Sequence, residues 1–352
     1  MYKSKIIMLL TIFLLVLVVF NFNRIIYISK LFYDQIKILS KSNNINYFVD
    51  NNLVDDKIKG QLILIPEVMD FGDKLGFPRT KAYSTYSQLD RETYLYSLSA
   101  SKKNNFENYL WKWPFVGALP YKGFVNKNDA LKEIDELDEL GYDTNLGKSS
   151  AMSTLGVFMD PIITTMINEN DSTRLIETIY HERTHQLFFK KSYIQFNENS
   201  AQLIGMLASL DFLEQKFGIN SIEYQNQLSY LNDSLLFSNF ISEFYNELNS
   251  LYSQNISSDD KLQNRELIFK KYSQKYTVLR PLLSKGFKKI EQAEFNNALI
   301  LSFYRYYGKI NVYMDVHKKL GNNLSKTIEF FNTTSRKSED PDLVINGFLN
   351  AN

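Results

Sequence analysis

The 352-residue chain carries 40 Lys and Arg against 39 Asp and Glu, a net charge of +1, and no cysteine. The missing thiols exclude disulfides, thiolate catalysis, thiolate-held zinc and a lipid-modified N-terminal cysteine. No basic stripe stands out, so nucleic acid is not an expected partner, while 26 Phe and 23 Tyr supply bulk for one large domain or two small ones.

Lys3 and Lys5 precede an unbroken apolar run from Ile6 to Phe20, and no charge follows until Arg24. A basic flank and an apolar run of this length look like a secretory signal. Asn21-Phe22-Asn23-Arg24, however, offers no pair of small residues for cleavage. Ile6 to Phe22 is near the shortest helix that spans a bilayer. Residues 1–23 are therefore expected to form an uncleaved transmembrane helix. It would hold the protein at a membrane as a single-pass chain, with the body outside the cytoplasm. Arg24, Lys30 and Lys37 blunt the positive-inside signal, which leaves the orientation open on charge alone.

Residues 24–66 alternate apolar and charged positions at roughly helical spacing, with breaks at Asn43-Asn44 and Asn51-Asn52. They are expected to form a membrane-proximal helical arm, with Leu62 to Pro66 as a short buried stretch. The main domain is expected over 67–345, with a tail at 346–352. Its first hundred residues hold most of the Pro and Gly and suit short strands and turns. Asp129 to Leu140 is amphipathic, with Ala130, Ile134, Leu137 and Leu140 on one side and a solvated acidic face on the other. Ser153 to Phe158 reads as a strand that, in a peptidase, could pair with an extended substrate backbone.

His181-Glu182-Arg183-Thr184-His185 then places two histidines one helical turn apart. On one helix face both imidazoles can reach a single metal ion, with Glu182 beside it as general base. Asp171-Ser172-Thr173 offers capping oxygens, and Leu175, Ile176, Ile179, Leu187 and Phe188 recur at helical spacing. A catalytic zinc needs a third protein ligand. Glu198 is the first choice: Asn197 would cap a returning helix after the reversal at Ser192 to Gln195, with Glu198 in its first turn. His317, beside Lys318 and Lys319, is the rival and reads as a solvated histidine. Glu177 and Gln202 are each one turn from a ligand, where they could orient the imidazoles.

From 172 onward the pattern is helical. Gly205 would let the returning helix approach its neighbour closely. Glu294 to Leu320 reads as one long helix with Tyr304, Tyr306 and Tyr307, one of which could donate to an oxyanion. The residues from Thr333 read as loosely ordered.

In order, Leu75-Gly76-Phe77-Pro78, Ala82-Tyr83-Ser84-Thr85-Tyr86, Trp113 to Phe124, Gly141-Tyr142-Asp143, Ser153-Thr154-Leu155-Gly156, Asp160-Pro161, the histidine motif with Gln186, Phe196-Asn197-Glu198 with Ala201, and Asn296-Asn297-Ala298 make the chain resemble a known family. It is a bacterial cell-envelope family of zinc aminopeptidases, often lipid-anchored, whose peptidase label itself rests largely on the motif. The resemblance implies a zincin-like fold of the glutamate type, predominantly α-helical α+β, with a small sheet before the active-site helix. It also supports Glu198 over His317 and implies that the anchor lies in the bacterial inner membrane, with the body facing the periplasm or exterior. The chain departs from the family in lacking a lipidated cysteine and in carrying Arg183-Thr184 where a small apolar pair is usual.

The expected function is thus zinc-dependent peptide hydrolysis. One Zn2+ would be held by His181, His185 and Glu198, with Glu182 as general base and a peptide as substrate. The alternatives are a membrane-tethered helical binding protein with a structural or degenerate site, and a zinc-dependent amidase acting on peptidoglycan.

Overall fold

The computed structural model describes residues 22–113, 117–150, 160–167, 171–288, 290 and 294–351. The expected transmembrane segment, residues 1–23, lies outside them except for its last two residues, which begin the first helix. Among the described residues no helix is long and apolar enough to cross a membrane. The strand expected at Ser153 to Phe158 also lies outside the described residues.

The chain opens with three helices: α1 (Phe22–Lys41), α2 (Ile45–Asp50) and α3 (Asp56–Lys74), with the two-residue strand β1 (Asn43–Asn44) between the first two. The Asn-rich breaks act as caps here. Asn44 accepts from the amide of Asn46, and Asp55 accepts from Lys57 and Ile58 at the start of α3. Leu62 to Pro66, expected as a separate buried stretch, lies inside α3. Leu62, Ile65 and Val68 are buried there at helical spacing while Ile63 is half-exposed, so the run is one turn of a helix with a single buried face.

Short strands follow: β2 (Thr85–Ser87), β3 (Leu95–Lys102), β4 (Trp111–Trp113), β5 (Gly117–Leu119) and β6 (Tyr121–Phe124). Then come α4 (Lys127–Glu139), β7 (Tyr142–Ser149) and β8 (Ile162–Ile163). β2 lies between β1, antiparallel, and β8, parallel, with Tyr86 opposite both Asn43 and Ile162. β3 is flanked by β6 and β7, both antiparallel, so Ser97 faces Gly123 and Gly147. β4 and β5 form a separate ribbon. α4 is capped by Asn126 and covers the β3 sheet with Ala130 and Leu137. Its acidic face is not wholly solvated. Glu133 turns in to accept from the Trp111 indole and from Lys122, both at 2.6 Å.

The rest is helical: α5 (Thr173–Leu187), α6 (Ile194–Phe217), α7 (Ile222–Tyr252), α8 (Ser258–Leu279), α9 (Asn297–Tyr307), α10 (Ile310–Lys319), α11 (Leu324–Arg336) and α12 (Pro341–Asn350). The architecture is α+β, mainly helical, with small sheets. α6 is the centre of it. Every residue from Phe196 to Leu210 is buried, polar ones included, because α5, α7, α9, α10 and α11 enclose it. Each large apolar side chain so covered stabilises the fold by about 1.5–3 kcal/mol.

Two features of the C-terminal half differ from expectation. The long helix expected over Glu294 to Leu320 breaks at Gly308-Lys309 into α9 and α10. The polar groups at the break are taken up by Asn199, which accepts from the Lys309 amide (2.8 Å) and donates to the Arg305 carbonyl (2.6 Å). Ser242 donates to the Gly308 carbonyl as well. The residues from Thr333 are helical almost to the end, since α12 docks Ile345 into the core. α9 is anchored at its start by Asp143 on β7, which accepts from the Asn297 amide and pairs with the buried Arg265.

Candidate metal centre

Asp171 starts α5 by accepting both the amide and the hydroxyl of Thr173, at 3.1 and 2.5 Å, while Ser172 makes no capping bond. Leu175, Ile176, Ile179 and Tyr180 bury one side of the helix, and the Tyr180 hydroxyl donates to the Val68 carbonyl. That packing turns the opposite side, with His181 and His185, toward α6. The two Nε2 atoms lie 3.2 Å apart.

The chain reverses over 188–193, with Ser192 in the left-handed region at φ 70°, and α6 begins at Ile194. Asn197 is therefore not the cap expected from the sequence. It sits inside the first turn of α6 and closes the reversal, accepting from the Lys190 amide and donating to the Lys190 carbonyl, each at 2.9 Å. Glu198, the next residue, brings Oε2 to 3.4 Å from Nε2 of both His181 and His185. Two turns on, Gly205 lets α6 close on α5. A Cβ there would lie 3.1 Å from the Glu177 carbonyl oxygen and 3.3 Å from His181 Cβ.

His181, His185 and Glu198 form a group that could hold a metal ion. The donor set, two imidazoles and a carboxylate, is one that zinc takes at catalytic centres. The spacing fits too. Tetrahedral ligands about 2.0–2.1 Å from zinc lie roughly 3.3–3.4 Å from one another, close to the separations of 3.2, 3.4 and 3.4 Å seen here. Electrostatics agree. Burial would push the Glu198 carboxyl up, but the charge of His185 and hydrogen bonds from both imidazoles outweigh it and hold Glu198 well below the usual carboxylate range. Burial works to lower His185, yet Glu198 beside it, with Glu182, raises its pKa. The site thus favours positive charge between its carboxylates, the place a divalent cation would take.

Glu182 projects into the same field. Burial raises its pKa, the two histidines oppose the rise, and Glu198 and Asp160 add to it. Arg183, which follows Glu182 in the sequence, points away from the centre. It is fully buried, bonded to Asp73 (2.6 Å) and to the carbonyls of Met69 (2.9 Å) and Pro78 (3.1 Å). It packs so closely on Gly72 that a Cβ there would meet Nη1 at 2.3 Å. Its role is to lock α5 onto α3.

Glu177 and Gln202 do not orient the imidazoles as expected. They bond each other at 2.6 Å, with Gln227 and Arg174 also on Glu177. His317 is not solvated either. It is buried on α10 with Nδ1 2.8 Å from the Thr327 hydroxyl, apart from the metal group, and burial lowers its pKa. Of the three tyrosines on α9, Tyr304 stacks on Tyr245 and Tyr307 bonds Tyr230, while Tyr306 stacks on His181 with centroids 6.4 Å apart.

Tyr121 and Arg305 also border the site, and the sequence does not single them out. Burial pushes the Tyr121 hydroxyl up to about 12, with Glu198 and Glu182 adding and Arg305 opposing. Glu198, then burial, raises Tyr306 well above the usual range. Both phenols are thus protonated near neutral pH. Neither Tyr121 nor Arg305 lies on the motif helix, so only the tertiary fold brings them near.

The sequence model of a family described as "Putative aminopeptidase" matches residues 26–341. No curated protein and no solved structure matches the chain.

Proposed function

The chain belongs to that family, and from this premise we propose that it is a zinc-dependent peptidase acting on peptides at the surface of the inner membrane. The observation that supports this most is the convergence of His181 Nε2, His185 Nε2 and Glu198 Oε2, all within 3.4 Å of one another. Zinc, when bound, supplies Lewis acidity and renders water acidic near neutral pH.

The chain's own groups account for the remaining chemistry. Glu182 takes the proton from water attacking the scissile carbonyl and passes it to the leaving amine as the C–N bond breaks. Burial raises its pKa above the ordinary carboxyl value, the direction that suits a group that must return a proton as well as take one. Tyr306 and Tyr121 border the site as neutral donors able to face charge developing on the carbonyl oxygen. Asn197 and Gly205 set how far α6, and Glu198 with it, stands from the two imidazoles. The apolar segment before α1 would tether the domain to the inner membrane, facing the periplasm or exterior.

The test is metal analysis with peptide hydrolysis on the same preparation. One zinc per chain is expected, with activity lost to chelator and restored by zinc. Protein that hydrolyses peptides at full rate after the metal is stripped would overturn the proposal.

A further inference from the structure

Three arginines are buried among the described residues, and two of them have counter-ions: Arg183 pairs with Asp73 and Arg265 with Asp143. Arg305 does not. It is 9 % exposed, forms no ion pair and donates from its guanidinium to no acceptor among the described residues. Its guanidinium lies over the Tyr121 ring, 5.5 Å from Cζ to the centroid. None of its nitrogens is both sealed from solvent and without a partner, so the guanidinium keeps some contact with water. Removing a guanidinium from most of its water without a counter-ion is unfavourable, and such a group is poised to receive an anion.

The position ties this charge to the metal centre. The Arg305 carbonyl is held by Asn199, the residue after Glu198, at 2.6 Å. The next residue, Tyr306, stacks on His181. Tyr121 and Tyr306 each feel Glu198 and Glu182 together with Arg305, so the cation and the metal-side carboxylates lie within reach of the same two phenols.

We propose that Arg305 receives the free α-carboxylate of the substrate, so that the enzyme acts on short peptides ending one or two residues beyond the scissile bond. A guanidinium binds a carboxylate through two parallel N–H···O bonds, which fixes direction as well as charge. An extended chain advances about 3.3–3.6 Å per residue. An anion site whose neighbouring residue touches a metal ligand therefore suits a terminus one or two residues away. This inference rests on the peptidase reading and names the substrate class for it.

Binding and hydrolysis test it separately. Binding is measured calorimetrically on zinc-loaded full-length Glu182→Gln protein with three probes: Ala-Ala, Ala-Ala amide and Ala-Glu amide. Ala-Ala is expected to bind at least tenfold more tightly than either amide, as a charge-assisted pair predicts. Adding Arg305→Ala should bring the ratio to about one, and Arg305→Lys should leave a reduced preference. The comparison of the three probes needs no variant at Arg305, so it stands even if Arg305→Ala folds poorly. Equal binding of Ala-Ala and its amide, no binding of any probe, or tight binding of Ala-Glu amide alone overturns the assignment. Hydrolysis by the wild-type protein is scored apart. Carboxylate-selective binding without turnover would sink the peptidase reading and leave the anion site standing.

Discussion

Gly205 and His181 sit so close that a methyl on the glycine would lie 3.3 Å from both the Cβ and the backbone nitrogen of the histidine. The Glu177 carbonyl, at 3.1 Å, crowds the same space. Two of these neighbours are backbone atoms and the third, Cβ, is fixed by the backbone, so none can swing aside. Gly205→Ala should therefore push α6 from α5 and draw Glu198 away from the two imidazoles. Overpacking of this kind costs about 1–3 kcal/mol. The stronger expectation is a fall in zinc affinity of roughly tenfold, the lower end for changes that disturb ligand support. Competition with a fluorescent chelator reads it, and unchanged affinity would show that α6 can move without its carboxylate.

Glu182→Gln keeps the shape of the side chain and removes its basicity. Peptide hydrolysis should fall by about 100- to 10,000-fold, the usual contribution of a positioned base, with bound zinc unchanged. A variant that loses its zinc along with its activity would instead make Glu182 part of the metal site.

Asn197→Ala would leave the Lys190 amide unpaired at a buried turn, at about 1–3 kcal/mol, while the Lys190 carbonyl would keep the Tyr193 amide as its donor. Asn197→Asp retains the acceptor for that amide and should lose less stability than Asn197→Ala in urea titration. If both variants match the wild type, the turn does not depend on this clamp.

Zinc should stabilise the folded chain. Because only the folded state brings the three ligands together, zinc at a thousandfold over its dissociation constant adds about 4 kcal/mol. Thermal melts with zinc should exceed those with chelator by several degrees in the wild type, and not in His185→Ala or Glu198→Ala. An identical shift in the ligand variants would place the metal elsewhere.

His317 gives the fold an acid limit. Burial lowers its pKa below the ordinary 6.5, so the unfolded chain takes up this proton first as pH falls. The stability contributed by a neutral His317 is fully present above pH 6.5 and is lost as pH drops through the folded value. His317→Gln should flatten that part of the stability profile. Parallel wild-type and variant curves between pH 7 and 5 would remove His317 as the cause.

Much of the centre is legible in the sequence because helical periodicity is local. Two histidines four apart must share a face, so the motif alone sets His181 beside His185, and a short return brings Glu198 within reach. The supporting residues are not legible for the opposite reason. Asn197 looks like a cap, and only the turn it closes shows otherwise. Arg183 looks like a charge beside Glu182, yet one step along a helix is a rotation of 100°, which sends it toward Asp73 and Gly72. Tyr121 reaches the site from a sheet some sixty residues upstream of the motif. The break at Gly308 is hidden because the apolar spacing runs across it, and Asn199, which satisfies the freed groups, is more than a hundred residues away.

Asn199 has a wider consequence. It adjoins Glu198 on one helix and joins Arg305 and Lys309 across the kink of another. A displacement of α6 would therefore be felt at the backbone of Arg305, so the grip on a cation at Glu198 and the grip on an anion at Arg305 are expected to rise and fall together.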